Sequence, residues 1–104
     1  MGPKIPQRSA PQVPGDGKYV YTLSDANFTE AAKADISGEG PLFVEFYAPW
    51  CVHCRKEAAV FRKLSQQHEN NVEFGAINCE INRALCRQKQ VFGYPTFIFT
   101  RPNL

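Results

Sequence analysis

The chain has 104 residues, 43% of them hydrophobic and 21% charged, with 1 Trp, 4 Tyr and 8 Phe. That is room for one packed domain, and the composition excludes a wholly disordered chain, a collagen and a coiled coil. No apolar run approaches the ~18 residues that cross a bilayer as a helix, and a net charge of +2 is too weak to point to nucleic acid. The charge is also unevenly placed. Residues 1–18 hold four of the eight prolines, three of the seven glycines and no aromatic, with Lys4, Arg8 and Lys18 against Asp16. Residues 19–104 balance nine basic against nine acidic side chains. A segment without aromatics and with spaced prolines buries too little surface to offset its ordering entropy. Residues 1–18 therefore read as a flexible, partly polyproline-like leader or linker, with a proline-motif ligand as the functional alternative. They lack the apolar core of a signal peptide, and Pro6 stands where a myristoylation signal has Ser or Thr.

From Tyr19 onward short strands alternate with amphipathic helices. Tyr19–Leu23 is β-branched and aromatic and predicts a strand. Ser24 follows as an N-cap with Asp25 in the first turn, and Phe28, Ala31 and Ala32 recur at helical spacing. Residues 37–41 end that helix. Leu42–Tyr47 is a nearly unbroken apolar run, which predicts a strand covered on both faces. After Ala48-Pro49-Trp50 a helix runs to about His68, a cation at its end, with Ala58, Phe61 and Leu64 on one face. Val72–Ile77 is a third strand, Asn82 to about Gln90 a short basic helix, and Thr96–Thr100 a fourth strand after a Gly93-Tyr94-Pro95 turn. Arg83, Arg87 and Lys89 read as a solvated face. The order β-α-β-α-β-α-β predicts an α/β fold with a central, mostly parallel sheet flanked by helices. Chemistry in such sheets sits beyond the carboxyl ends of the strands, which is where Trp50–Cys54 falls.

The four cysteines are Cys51, Cys54, Cys79 and Cys86. Cys51-Val52-His53-Cys54 is a C-x-x-C at a strand-to-helix junction. Cys51 there faces unpaired backbone N–H groups and the positive end of the helix dipole, both of which favour the reactive thiolate. Cys54, one turn on, can attack a mixed disulfide formed by Cys51 and release the partner. His53 adds positive charge beside Cys51, which stabilises the reduced form and makes the disulfide a better oxidant. Two readings compete: a zinc site built from all four thiolates and an inert structural pair.

Phe46-Tyr47-Ala48-Pro49-Trp50-Cys51-Val52-His53-Cys54-Arg55-Lys56 resembles the active-site segment of the thioredoxin superfamily, most of all the FYAPWCGHCK of protein disulfide isomerase catalytic domains. Val91–Thr96 is similar to the family's Gly-Tyr-Pro-Thr turn, and Leu23–Phe28 to its opening strand-to-helix turn. The resemblance runs from about Tyr19 to Arg101. It implies a thioredoxin-like fold and a thiol–disulfide oxidoreductase acting on cysteine-containing polypeptides, with no cofactor beyond a redox-active Cys51–Cys54 disulfide and with glutathione or an upstream thiol oxidase as exchange partner. It implies that Cys51 attacks and Cys54 resolves. Pro95 becomes a cis-proline against that disulfide, with Tyr94, Trp50 and Val52 on the substrate side. Glu45 becomes a buried acid that moves the Cys54 proton, its alternative being an outward place at a strand edge. Trp50 packs beside the site, or simply as core or lid. Some members carry a second disulfide where Cys79 and Cys86 stand; free thiols are the alternative. If formed, it argues for an oxidising compartment, here the secretory pathway and the endoplasmic reticulum lumen.

The chain departs from that pattern at named places. Val52 replaces the usual Gly and alters access to Cys51. Ala59 replaces a helix-kinking proline, so the helix should be straighter. Glu57 replaces an apolar residue; that face is either less buried or carries a second acid near the site. Ala76 stands where isomerases often have a lysine paired with the buried acid, which leaves Glu45 uncompensated. The family's final antiparallel strand and last helix have no counterpart before Leu104. Residues 96–100 are then an exposed apolar edge, an association hazard; the expectation is either a truncated form or isoform of a longer protein, or a chain that completes itself as a swapped or edge-strand dimer. The rival functional readings are a polypeptide-binding module with little turnover and a cytosolic thioredoxin-like reductase. Asn27-Phe28-Thr29 fits the N-glycosylation pattern, with support of the helix start as the other role for Asn27.

Overall fold

The computed structural model describes residues 19–25 and 41–100. The leader of residues 1–18, the helix expected after Ser24 with Phe28, Ala31 and Ala32, Asn27, and residues 101–104 lie outside the described residues. Six elements follow in chain order: β1 (Val20–Leu23), β2 (Leu42–Tyr47), α1 (Val52–Gln67), β3 (Glu73–Asn78), α2 (Arg83–Gln88) and β4 (Thr96–Thr100). Both helices stop slightly before their expected ends. His68 caps α1 through its N–H to the Leu64 carbonyl, and beyond α2 the backbone turns at Gln90, which takes a φ of 59°. Among the described residues no helix is long and apolar enough to cross a membrane.

The strands form one sheet in the order β1-β3-β2-β4. β3 runs parallel to both of its neighbours, while β4 pairs antiparallel with β2. The sheet is thus mostly parallel, and the single reversal has a length argument behind it. Six residues of helix rise about 9 Å, whereas six residues of strand cover about 20 Å. α2 is too short to carry the chain back along β3, so β4 starts near the end where β3 finished and runs the other way. A buried Asn82 holds the start of α2 in place. Its Oδ1 accepts the Asp25 N–H at 3.0 Å and its Nδ2 donates to the Asn78 carbonyl at 2.9 Å.

Strand alternation sends Leu42, Val44 and Phe46 to one face of β2 and Phe43, Glu45 and Tyr47 to the other. The first set packs with Leu23, Ile77, Leu85 and Val91. The second faces α1, whose buried residues Cys54, Ala58, Phe61 and Ser65 recur along one stripe of a single uninterrupted helix. β2 is therefore covered on both sides, as its continuous apolar run predicts. Phe43, Phe61, Phe74 and Phe97 lock α1 onto the sheet: Phe43 stacks on Phe97 with centroids 5.5 Å apart, and Phe61 meets Phe74 edge-on at 5.4 Å. Burying a phenyl ring of this kind contributes about 1.5–3 kcal/mol. Into that face the sequence places one carboxyl group, Glu45.

Candidate active site

β2 ends at Tyr47, and Ala48-Pro49-Trp50 turns the chain so that the Cys51 N–H donates to the Ala48 carbonyl at 3.0 Å. Cys51 is thereby left as the N-cap of α1, in extended conformation. Its Sγ accepts the Cys54 N–H at 3.3 Å and lies 3.6 Å from the Tyr94 carbonyl oxygen, to which the thiol donates. An N-cap side chain normally satisfies an unpaired helix donor with oxygen; here sulfur does so, at the positive end of the helix dipole. Cys54, one turn on, has no exposed surface. Burial pushes its thiol up to about 12. The hydrogen bond with Cys51 and the charges of Cys51 and Glu45 add to this, and a hydrogen bond with the backbone of Ala48 opposes it. Both thiols are free in this structure, the dithiol form of such a pair.

Three groups border Cys51. The Tyr94–Pro95 peptide is cis and aims the Tyr94 carbonyl at the sulfur. Trp50 is 60% exposed. It is a lid rather than core, held by its indole N–H to the Glu80 carboxylate and by an edge-on contact with Tyr94, centroids 5.8 Å apart. Val52 and His53 stand exposed on the first turn of α1. Beside them a cavity of about 250 Å³ is lined by Ala48, Trp50, Cys79, Glu80, Arg83 and Tyr94. Sequence reasoning missed Glu80 and left Arg83 on a solvated face. Arg83 is exposed, yet its Nε donates to the Glu80 carbonyl at 3.2 Å at the rim of this cavity. A somewhat larger cavity, about 310 Å³, opens by Tyr19, Tyr21, Glu69 and Glu73. It lies at the opposite end of the sheet from the cysteines and holds none of the thiol chemistry.

Behind the cysteines Glu45 is completely buried, and neither of its carboxyl oxygens has a hydrogen-bond partner. The outward placement at a strand edge is ruled out. Its register partners are Ala76 on β3 and Phe97 on β4, so neither neighbouring strand supplies a cation opposite it. Burial pushes its carboxyl up to about 10, and the adjacent Glu57 and the Cys51 charge push in the same direction. Of the two readings of Glu57, the second acid near the site is the one the structure has: the residue is half-buried, and its Oε2 is enclosed without a partner. A charged residue in an otherwise apolar helical stripe was the sequence signal for it.

Cys79, just past β3, and Cys86, in α2, are joined by a disulfide with Cα atoms 5.8 Å apart. Both are buried in the core on the face of β2 away from α1. The bond closes a loop between residues seven apart and pins α2 to the sheet. Among the described residues no three His, Cys, Asp or Glu side chains are grouped as metal ligands.

Comparison with known proteins agrees with this geometry. The family model described as Thioredoxin matches residues 19–103. The chain is 46% identical over 61 residues to Protein disulfide-isomerase MPD1 of Saccharomyces cerevisiae, covering 57% of this chain and 19% of that protein. It is 32% identical over 90 residues to Protein disulfide-isomerase 1 of Caenorhabditis elegans, covering 84% and 18%. Among solved structures, the J-Trx1 fragment of ERdj5 superposes with a TM-score of 0.75 at 35% identity, covering 86% of this chain and 41% of that one. The chain belongs to the thioredoxin family. It forms a thiol–disulfide oxidoreductase-like domain with a Cys51–Cys54 pair, and it spans about a fifth of the length of these two curated relatives.

Proposed function

We propose that this domain is a protein disulfide isomerase-like catalyst of thiol–disulfide exchange in cysteine-containing polypeptides, working in the endoplasmic reticulum lumen. The observation that carries the reading is the asymmetry of the two thiols: Cys51 at the helix cap with a donor on its sulfur, Cys54 one turn deeper and held protonated. In the reducing direction the Cys51 thiolate attacks a client disulfide. A bond forms from Cys51 Sγ to one client sulfur, and the other leaves as thiolate. Cys54 passes its proton to the carboxyl behind it, Glu45, which gives up its own proton in the same step, and attacks Cys51 Sγ, which releases the second client thiolate and leaves the Cys51–Cys54 disulfide. Oxidation of a client is the same sequence reversed. Forming the mixed disulfide removes the Cys51 charge, one cause of the raised Glu45 and Cys54 values, so both groups release their protons more readily at that moment.

The disulfide itself is the redox group, glutathione or an upstream thiol oxidase restores it, and no further cofactor is needed. His53, exposed on the first turn of α1 between the two cysteines, tunes the potential of the pair, and Trp50, Val52, Tyr94 and Pro95 form the client side. The reduction potential is expected nearer about −180 mV than about −270 mV. The Cys79–Cys86 disulfide supports an oxidising compartment, and the names of the curated relatives support isomerase chemistry. The test is insulin reduction by the chain against Cys51→Ser: turnover well above the variant supports the reading, and a signal equal to the variant's overturns it.

A second reading, a polypeptide-binding module with little turnover, draws support from the exposed apolar side chains Trp50, Val52 and Phe92 and from edge strand β4, where Phe97 and Phe99 are 41% and 49% exposed. The same strand supports edge-strand pairing or swapping between copies. A monomer with one cooperative melting transition at low micromolar concentration overturns the pairing.

A further inference from the structure

We propose that Glu57 is a positioning residue for this chemistry: it shares one proton with Glu45 and carries that proton between the buried Glu45 and solvent. The proposal rests on the reading that Cys51 and Cys54 turn over. Its basis is placement. Glu57 follows Cys54 by three residues on the side of α1 that also carries Cys54 and Phe61, and residues three apart on a helix are neighbours. That side lies on the face of β2 that carries Phe43, Glu45 and Tyr47.

Glu45 has no exposed surface, and neither of its oxygens has a partner. A proton taken from Cys54 therefore has no direct way to water. Glu57 bridges the gap, being half-buried with its Oε2 enclosed and unpartnered on the same side. Two carboxyl groups packed together, one of them wholly out of water, do not readily hold two negative charges, so the pair keeps one proton. The groups around the pair are Cys51 and Cys54 at the start of α1, Tyr47 on the same face of β2, apolar Phe74 and Ala76 of β3, and Phe97 of β4. The α1 cations nearest to Glu57 in the chain, Arg55 and Lys56, are exposed. The proton balance closes: the singly protonated pair takes the Cys54 proton as Cys54 becomes thiolate, the pair becomes neutral, and Glu57 returns one proton to water. Reversal supplies the proton that Cys54 needs when the disulfide is reduced.

The test compares wild type with Glu57→Gln, Glu57→Leu, Glu57→Asp, Glu45→Gln and the Glu45→Gln/Glu57→Gln double variant. Glu57→Leu places an apolar side chain on a buried helix face and guards against misfolding, which far-ultraviolet circular dichroism checks. Cys54-dependent resolution of a preformed mixed disulfide on Cys51 is expected to slow about tenfold in Glu57→Gln and Glu57→Leu. Glu57→Asp should recover most of that loss, and the double variant should be no slower than Glu45→Gln alone, because both residues lie on one route. A rate in Glu57→Gln and Glu57→Leu equal to wild type across the pH profile, or fully additive losses in the double variant, overturns the proposal. A second readout needs no turnover: in a carboxyl-carbon NMR titration the Glu45 midpoint should shift downward in Glu57→Gln, as expected when a coupled pair becomes a single site. An unmoved midpoint overturns the pairing. An inert wild type in insulin reduction with a shifted midpoint overturns the catalytic reading and the proton route, and leaves the shared proton standing.

Discussion

Glu45 on β2 stands directly opposite Ala76 on β3, a buried carboxyl facing a methyl group. A long cationic side chain at position 76 would hold Glu45 ionised. With alanine there, burial acts unopposed and Glu57 adds to it, so the carboxyl rises from its ordinary value of 4.5 to about 10. Burial of Glu45, joined by Glu57 and the Cys51 charge, thus sets the electrostatics behind the cysteines.

The pair makes folding stability depend on pH with a definite sign. Between pH 4.5 and about 10 the folded state holds a proton on Glu45 that the unfolded chain has released. The stabilising effect of that proton is complete below the lower value and is lost as pH rises through the upper one. The slope contributed by one such group is at most about 1.4 kcal/mol per pH unit. Urea melts of the dithiol form from about pH 5 to 9 should therefore show stability falling as pH rises. Glu45→Gln, neutral at every pH, should flatten that fall and be the more stable protein at the alkaline end. Parallel slopes for the two proteins would refute the assignment.

The sequence made much of this site legible. β2 and α1 stand out because a continuous apolar run and a 3.6-residue stripe are strong periodic signals, and a lone carboxylate in the first is conspicuous. The direction of β4 was not legible, because it depends on how far six residues of α2 can carry the chain. The Glu80 contact with Trp50 escaped notice for a related reason: thirty residues separate them, and only the β2–β3 register brings them together. Glu57 lay between the two cases, flagged by its charge but located only once the buried face of α1 met the sheet.

The thiols should differ sharply in reactivity. Cys54 is fully buried and its thiol is pushed from 9.0 up to about 12, so its thiolate fraction near neutral pH is on the order of a thousandfold below that of an unperturbed thiol. Iodoacetamide applied to the dithiol form near pH 7 should modify Cys51 alone, as read by peptide mass spectrometry. In Cys51→Ser, Cys54 should remain almost unlabelled until the protein is unfolded. Equal labelling of both cysteines in the folded chain would contradict the burial and the raised thiol together.

Removing the second disulfide should separate stability from chemistry. The Cys79–Cys86 bond spans residues seven apart, and a loop of that size contributes about 2 kcal/mol by restricting the unfolded chain. Cys79→Ala/Cys86→Ala should lower the unfolding free energy by about that amount in a chemical melt, the two alanines leaving some further packing loss in the core. The same variant should still reduce insulin, since Cys51, Cys54 and Glu45 sit on the α1 side of the sheet and the disulfide on the other. A variant that stays fully stable yet loses insulin reduction would move Cys79 and Cys86 from the scaffold into the redox chemistry.

Trp50 offers the sharpest test of how clients are held. Its ring is mostly exposed but fixed, edge-on to Tyr94 and hydrogen-bonded to Glu80, and it forms one wall of the cavity beside Cys51. Aromatic anchors of this kind dominate binding energy at interfaces, and truncating one commonly costs 1 kcal/mol or more. Trp50→Ala should raise KM for a polypeptide disulfide about tenfold with a smaller change in kcat. Exchange with glutathione disulfide, too small to span the cavity wall, should be nearly unchanged. If both substrates suffer equally, Trp50 acts on the reactivity of Cys51 itself and not on the client; if neither does, the lid is ornamental to binding and the client contacts lie on Val52 and the Tyr94 backbone.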